Sequence, residues 1–313
     1  MPVEGGCVGS YLVRRLAYSV FVIWGAVTIV FVVVRLIPGD PAQLMVGAEG
    51  TKADVEALRH RFGLDQPLAV QYVRYLGQAA HLDFGDSLRL EVPAAQAVSQ
   101  RVPVTALLAA TAMGLGIAVS MPLGIFAALH KQSVLDRAVS VISLLGQSVP
   151  NFWLGIMFIL IFARELRWFP SAGTGGVDHL VLPAATLALL LVGVLTRLVR
   201  SGLLDVLDEE YVRSAYAKGL TLRRVINRHA LPNMLIPVIT VVGLQLGSLL
   251  AGAVIVETVF GWAGVGRLLV DAISNRDYPI VQVAILFITT GFILVNLLVD
   301  LSYAYIDPRI RYR

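Results

Sequence analysis

The chain of 313 residues is 57% hydrophobic and only 15% charged, with a mean hydropathy of +0.76. Soluble domains carry about 25% charged residues, so a soluble enzyme or regulator is excluded and the composition defines an integral membrane protein. The formal net charge of +4 reports membrane topology and carries no nucleic-acid footprint.

A membrane-crossing helix needs about 20 residues nearly free of charge. Six stretches meet that need, at 16–34, 102–129, 138–163, 179–196, 230–256 and 278–299. They predict an all-α membrane protein with six transmembrane helices and both termini on one side. Arg14 and Arg15 precede the first stretch, and Lys131 and Arg137 separate the second from the third. With the basic run from Arg197 to Arg228 and the closing Arg309, Arg311 and Arg313, they place both termini in the cytoplasm. The first loop holds Lys52, Arg59, Arg61, Arg74 and Arg89 against Asp54, Glu56, Asp65, Asp83, Asp86 and Glu91, and a loop of that length has little say in orientation. The first stretch is longer than a signal-peptide core and no small-x-small site follows it, which predicts a retained anchor. Cys7 is the single cysteine, so no intramolecular disulfide and no cysteine-type metal site can form.

The first helix is expected to stop at residues 35–41, where Pro38, Gly39 and Pro41 interrupt it. Thr51 with Asp54 then resembles a capping box opening a short helix, with Val55, Leu58 and Phe62 on its apolar face and Gly63 at its end. Pro67 opens a second helix, with Leu68, Tyr72, Tyr75 and Leu76 on one side. Two such helices predict a small external cap against the membrane face. In the second span Gly114, Gly116, Pro122 and Gly124 permit close packing or bending. The third span contains Gln147, Ser148, Pro150 and Asn151, a polar, proline-broken patch in mid-membrane whose polar groups either bond to neighbouring helices or line a wet passage. Gln147, Ser148 and Asn151, with Gln245 and Glu257 of the fifth span, are the candidate pathway residues. Glu257 is expected to pair with Arg267 or Arg276, and otherwise to face the solute route. Trp168 and Trp262 are expected at the outer membrane interface.

Between the fourth and fifth spans lies a charged segment, residues 210–232, too polar for the bilayer and too short for a domain. Tyr211, Ala215 and Gly219 fall at i, i+4, i+8 spacing, which on one helix makes a small-residue face open to a partner. The same letters also fit an ordinary cytosolic loop whose glycine caps a helix. Arg223, Arg224 and Arg228 hold the segment on the cytoplasmic side, and Leu231-Pro232 is expected to break the helix before the next span.

No G-x-x-x-x-G-K-[ST] loop occurs, so the chain cannot cradle ATP phosphates itself. His60, His81, His130, His179 and His229 all lie in loops or at stretch ends, which speaks against an intramembrane hydrolase. Carriers driven by ion gradients keep charged groups near the midplane, and here Glu257 lies toward a span end. A self-powered carrier or channel is the weaker alternative, distinguished by flux that needs an ion gradient and no ATPase.

Over nearly its full length the chain resembles the B-type permease subunit of bacterial dipeptide/oligopeptide ABC importers, in the type I importer permease family. The resemblance rests on LIPGDP at 36–41, FGLDQPLAVQY at 62–72, SVPNFWLG at 148–155, WFP at 168–170, residues 210–220, RDYPIVQ at 276–282 and NLLVDLSYAYIDPR at 296–309. The family's cytoplasmic signature, EAA-x3-G-x9-I-x-L-P, sets its glycine on Gly219 and its final pair on Leu231 and Pro232. Arg213 and Ser214 replace Glu and Ala, and His229 replaces Ile, departures characteristic of the B-type branch. Ala263 stands where many relatives have proline.

The resemblance implies a coupling helix over 213–224, fitting a groove of an ATPase subunit, with Tyr211, Arg213, Ala215, Lys218, Gly219, Leu220, Arg223, Arg224, Leu231 and Pro232 as its contacts. It implies a chain with no catalytic residue, no metal and no cofactor of its own, ATP and Mg being used by two partner ATPase subunits. A homologous C-type permease, an extracytoplasmic peptide-binding protein and membrane lipid are the other implied partners, in the bacterial cytoplasmic membrane. The domain plan is a cytoplasmic N-terminus with the first helix (1–37), an external cap (38–101), a five-helix permease core (102–303) containing the coupling loop (201–233), and a cytoplasmic tail (304–313). The implied function is half of a pathway for di- or oligopeptides, with nickel chelates or glutathione as alternative solutes.

Overall fold

The structure, a computed structural model, describes residues 6–36, 41–46, 51–63, 65–87 and 89–306. Pro38, Gly39 and Asp40 and the basic tail from Arg309 lie outside the described residues. Regular structure among them is helical, apart from one isolated bridge between Asp86 and Pro93. In chain order the helices are α1 (Gly6–Leu36), α2 (Pro41–Val46), α3 (Lys52–Phe62), α4 (Leu68–His81), α5 (Ala94–Ser99), α6 (Val102–Leu129), α7 (Val134–Ser148) and α8 (Asn151–Phe158). A π segment, Ile159–Glu165, extends α8, and α9 (Val177–Leu207), α10 (Glu210–Ala217) and α11 (Leu222–Val225) follow. A second π segment, Ile226–Ala230, leads into α12 (Leu231–Val259), then α13 (Val265–Ser274) and α14 (Tyr278–Ile306).

Among the described residues five helical runs are long and apolar enough to cross a membrane: Val13–Val33, Ala94–Leu129, Val177–Leu207, Pro237–Val259 and Tyr278–Val299. The expected third span is a bent pair, with α7 and the α8 run turned by 105°, and counting it as one crossing gives six. The cause is local. Pro150 disfavours helical geometry at the residue before it, and Val149 is extended at φ −84°, ψ 125°.

The chain forms two compact units. The first joins Met1–Thr105 with Ala263–Ile293. Its core is aromatic: Phe31 of α1 lies 5.1 Å from Tyr72 and 5.4 Å from Tyr75, and Tyr75 lies 5.6 Å from Phe84, ring centre to ring centre. Val265, Ala272, Ile280, Val283 and Ala284 of α13 and α14 complete it. Thr28 Oγ1 and Tyr72 Oη share a 2.7 Å hydrogen bond. Arg35 donates to Gln71 Oε1 through Nε (3.1 Å) and Nη2 (2.9 Å), with its guanidinium 3.5 Å from the centre of the Phe31 ring. Burial pushes the Tyr75 phenol well above its ordinary range, an effect Arg35 partly offsets.

The Thr51 capping box forms as the sequence predicts, and Gly63 ends α3 in the left-handed region at φ 64°. The apolar face assigned to Leu58 and Phe62 lies outside the described side chains. On α4, Tyr72, Tyr75 and Leu76 turn to the core, but Leu68 is exposed. Gln71 occupies the buried side in its stead, because its amide serves Arg35. Two polar links were not foreseen: in a buried one Ser87 Oγ donates to Asp277 Oδ2, and in a half-buried one Arg101 Nη1 donates to the Ala263 carbonyl at 3.0 Å.

The second unit, Ala106–Trp262 with Leu294–Arg313, is built around α9. Leu187, Leu191, Leu195, Val199 and Leu203, four residues apart, form a fully buried stripe along it. Gly116 and Gly124 of α6 meet this helix closely: a Cβ would come within 3.0 Å of Leu191 Cβ in the one case and 2.8 Å of the Thr196 carbonyl in the other. Trp168 is exposed as expected for an interfacial indole. Trp262 is not, being only 1% exposed, and its backbone N–H donates to the Glu257 carbonyl at 2.8 Å. Its ring is core packing, which the sequence position near a span end did not reveal.

Candidate functional site

Residues 208–230 leave the apolar frame between α9 and α12, and their letters explain the path. Glu210 places a carboxylate in the first turn of α10, where the helix dipole favours it. The helix ends on Lys218, and Gly219 follows at φ 79°, in the left-handed region. Gly219 N–H donates to Tyr216 O at 2.9 Å and Leu220 N–H to Ala215 O at 3.3 Å, the two bonds of a Schellman end. Thr221 opens α11, which carries Arg223 and Arg224.

The expected single helix over 213–224 is therefore two helices with a turn between them. Gly219 sits outside α10 as its capping glycine, because its left-handed backbone cannot continue a helix. The small face of Tyr211, Ala215 and Gly219 does not form either. Ala215 turns inward, packing with Val212 and Val225 into a small apolar patch to which Val206, Leu207 and Leu220 add. The outward side shows Tyr211, Arg213, Lys218, Gly219, Arg223 and Arg224. A Cβ on Gly219 would meet nothing within 4 Å, so glycine is required there by its dihedral angle and the space before the turn is open. Leu231 and Pro232 open α12 where a break was expected; proline suits a first helical turn, whose N–H groups have no partner within the helix. Asn233 Nδ2 donates to Tyr211 Oη and to His229 O, each at 2.9 Å, fastening α10 to the start of α12.

The pathway candidates are spread over α7, α8 and α12. Gln147 Oε1 accepts from Arg197 Nη2 of α9 at 2.5 Å, and Ser148 Oγ donates to Leu144 O at 3.0 Å within its own helix. Asn151 is half-buried, its Nδ2 3.2 Å from where a Cβ would stand on Gly252 of α12. Gln245 accepts from Ser248 Oγ at 3.4 Å on its own helix, and Glu257 is fully buried. Arg267, one of its two expected partners, lies 3.8 Å from Asp271.

Sequence reasoning missed a two-pronged polar link in this unit. Arg200 grips the buried Asp136 with Nε on Oδ1 at 2.5 Å and Nη2 on Oδ2 at 2.8 Å, tying α9 to α7. Ser133, which accepts from Asp136 N–H at 3.1 Å, was the available local signal, a cap with an acid three residues on. A cleft of about 440 Å³ lies beside these residues, lined among others by Ser140, Arg197, Arg200, Ser201 and Val241.

Residues 120–312 match the family model described as binding-protein-dependent transport system inner membrane component, and residues 9–109 match that of the N-terminal membrane component of the same systems. The chain belongs to this family, the inner-membrane permeases of binding-protein-dependent ABC importers. It is 40% identical over 304 residues to the glutathione transport system permease protein GsiC of Escherichia coli (strain K12), covering 97% of this chain and 99% of the relative. It is also 40% identical over 311 residues to a putative peptide transport system permease protein of Brucella abortus (strain 2308), with the same coverages of 97% and 99%. Among solved structures, the methionine ABC transporter MetNI in an inward-facing conformation matches with a TM-score of 0.55 at 17% identity, over 67% of this chain and 96% of that one. That likeness establishes the fold, an all-helical type I importer permease.

Proposed function

We propose that this chain is one half of a peptide pathway, worked by ATPase subunits that grip residues 210–232 from the cytoplasm. The observation that carries the reading is the turn at Gly219: a left-handed glycine with open space before it, flanked by exposed Arg213, Lys218, Arg223 and Arg224 and held from behind by Val212, Ala215 and Val225. A short element fixed on its inner side and bare on its outer side can pass a push to α12, to which it is bonded through Asn233.

The peptide class is supported by the relatives, one named for glutathione transport and one for peptide transport. Glutathione is itself a tripeptide with free carboxylates, so the two names are compatible with one solute class. ATP hydrolysis in two separate subunits, a second homologous permease, delivery by an extracytoplasmic binding protein and cytoplasmic termini complete the proposal. The domain plan of residues 1–37, 38–101, 102–303 and 304–313 is kept within it. The test is uptake of labelled tripeptide into sealed vesicles containing the assembly: uptake should require ATP, the ATPases and the binding protein together. Uptake by this chain alone, driven by an ion gradient, would establish the self-powered carrier.

A further inference from the structure

The cleft between α7, α9 and α12 holds two arginines with different commitments. Arg200 is spent on Asp136, both nitrogens of one guanidinium edge being bonded to the carboxylate, so those two charges cancel. Arg197 is bonded through Nη2 to a neutral partner, Gln147 Oε1. Gln147 thus takes one of five N–H groups and orients the guanidinium without neutralising it. The rest of the lining is small and polar or aliphatic: Ser140, Ser201, Val194, Leu198 and Val241. The hydroxyl of Ser201 turns back to the carbonyls of Arg197 and Leu198, at 3.0 and 3.2 Å, leaving the guanidinium as the group that sets the cleft's charge. Arg197 directly follows the apolar stretch 179–196, so its exposed guanidinium stands at the end of that span, beside the cleft.

We propose that this cleft is a carboxylate-receiving station on the peptide's route, with Arg197 as the binding group and Gln147 as the residue that positions it. The assignment rests on the peptide reading above and adds to it the chemical feature recognised within the permease. A peptide carboxylate presents two oxygens, which the remaining N–H groups of a planar guanidinium engage as a pair. Arg200 with Asp136 holds the wall of the station, fixing α7 against α9.

The test reads occupancy directly. In the full assembly, in vesicles of neutral lipid, the single cysteine is removed (Cys7→Ser) and a cysteine is placed in the cleft (Ser201→Cys, with Ser140→Cys as the second position). Its maleimide labelling rate is measured with triglycine, S-methylglutathione or triglycinamide present. Triglycine and S-methylglutathione should slow labelling about tenfold, triglycinamide should not, and Arg197→Gln should abolish the protection while Arg197→Lys keeps part of it. Gln147→Leu should weaken protection without removing it. Equal protection by acid and amide, protection undiminished in Arg197→Gln, or labelling slowed by added anionic lipid and by neither peptide acid would overturn the assignment. The peptide reading itself stands or falls on the uptake assay, so the two failures are distinct.

Discussion

Residues 51–101 and 208–230 are both polar interruptions in an apolar chain, both made of short helices, and they are anchored by different means. The first is held by aromatic rings and buried polar links: Tyr72 bonds Thr28 of α1, Tyr75 packs on Phe31, and Ser87 bonds Asp277. The second is seated on a small apolar patch, Val212, Ala215 and Val225 with Val206, Leu207 and Leu220 beside them, and on the Asn233–Tyr211 bond, while its arginines and lysine are exposed. Burying a valine is worth about 1.5–3 kcal/mol, so that patch suffices to seat a short element and too little to lock it. On the function proposed above, the first anchorage would suit a fixed cap and the second an element that a partner subunit holds and moves.

The largest effect that would test this contrast comes from Val225→Asp. An unpaired carboxylate in the patch costs about 3 kcal/mol or more, enough to detach the segment, and ATP-driven uptake should fall more than tenfold while the protein still enters the membrane. Asp277→Ala should act on the other region. It leaves the buried Ser87 hydroxyl without its acceptor, costing about 2 kcal/mol in denaturant or thermal unfolding, with uptake per folded molecule kept. Tyr72→Phe removes only the bond to Thr28 and should cost about 1 kcal/mol in the same unfolding measurement. Smallest is Thr51→Ala, which opens the exposed capping box of α3 and should appear as faster amide exchange in its first turn, with no change in uptake. If Val225→Asp left uptake intact and Tyr72→Phe abolished it, the roles of the two regions would be reversed.

What could be read from the letters was local chemistry. The box at Thr51 and Asp54, the stop at Gly63 and the start after Pro67 are each decided within a few residues, and each is found where the sequence puts it. Distant partners were not legible. Asp136 and Arg200 stand 64 positions apart, and no pattern on either helix names the other. Pro150 announces a break in the third span, but the 105° bend depends on what the two pieces pack against. At Gly219 two local rules competed. The i, i+4, i+8 spacing read it as part of a helix face, whereas its left-handed dihedral makes it the end of one, and a glycine satisfies either reading until the backbone is seen.

In the proposed function, the turn at Gly219 transmits work between an ATPase and α12. The most direct measurement is peptide uptake together with ATP hydrolysis in vesicles containing the assembly with Gly219→Trp, alongside its amount and thermal stability in the membrane. We predict an inserted, stable permease whose uptake falls to background and whose hydrolysis no longer responds to loaded binding protein. Wild-type uptake by that stable variant would contradict it.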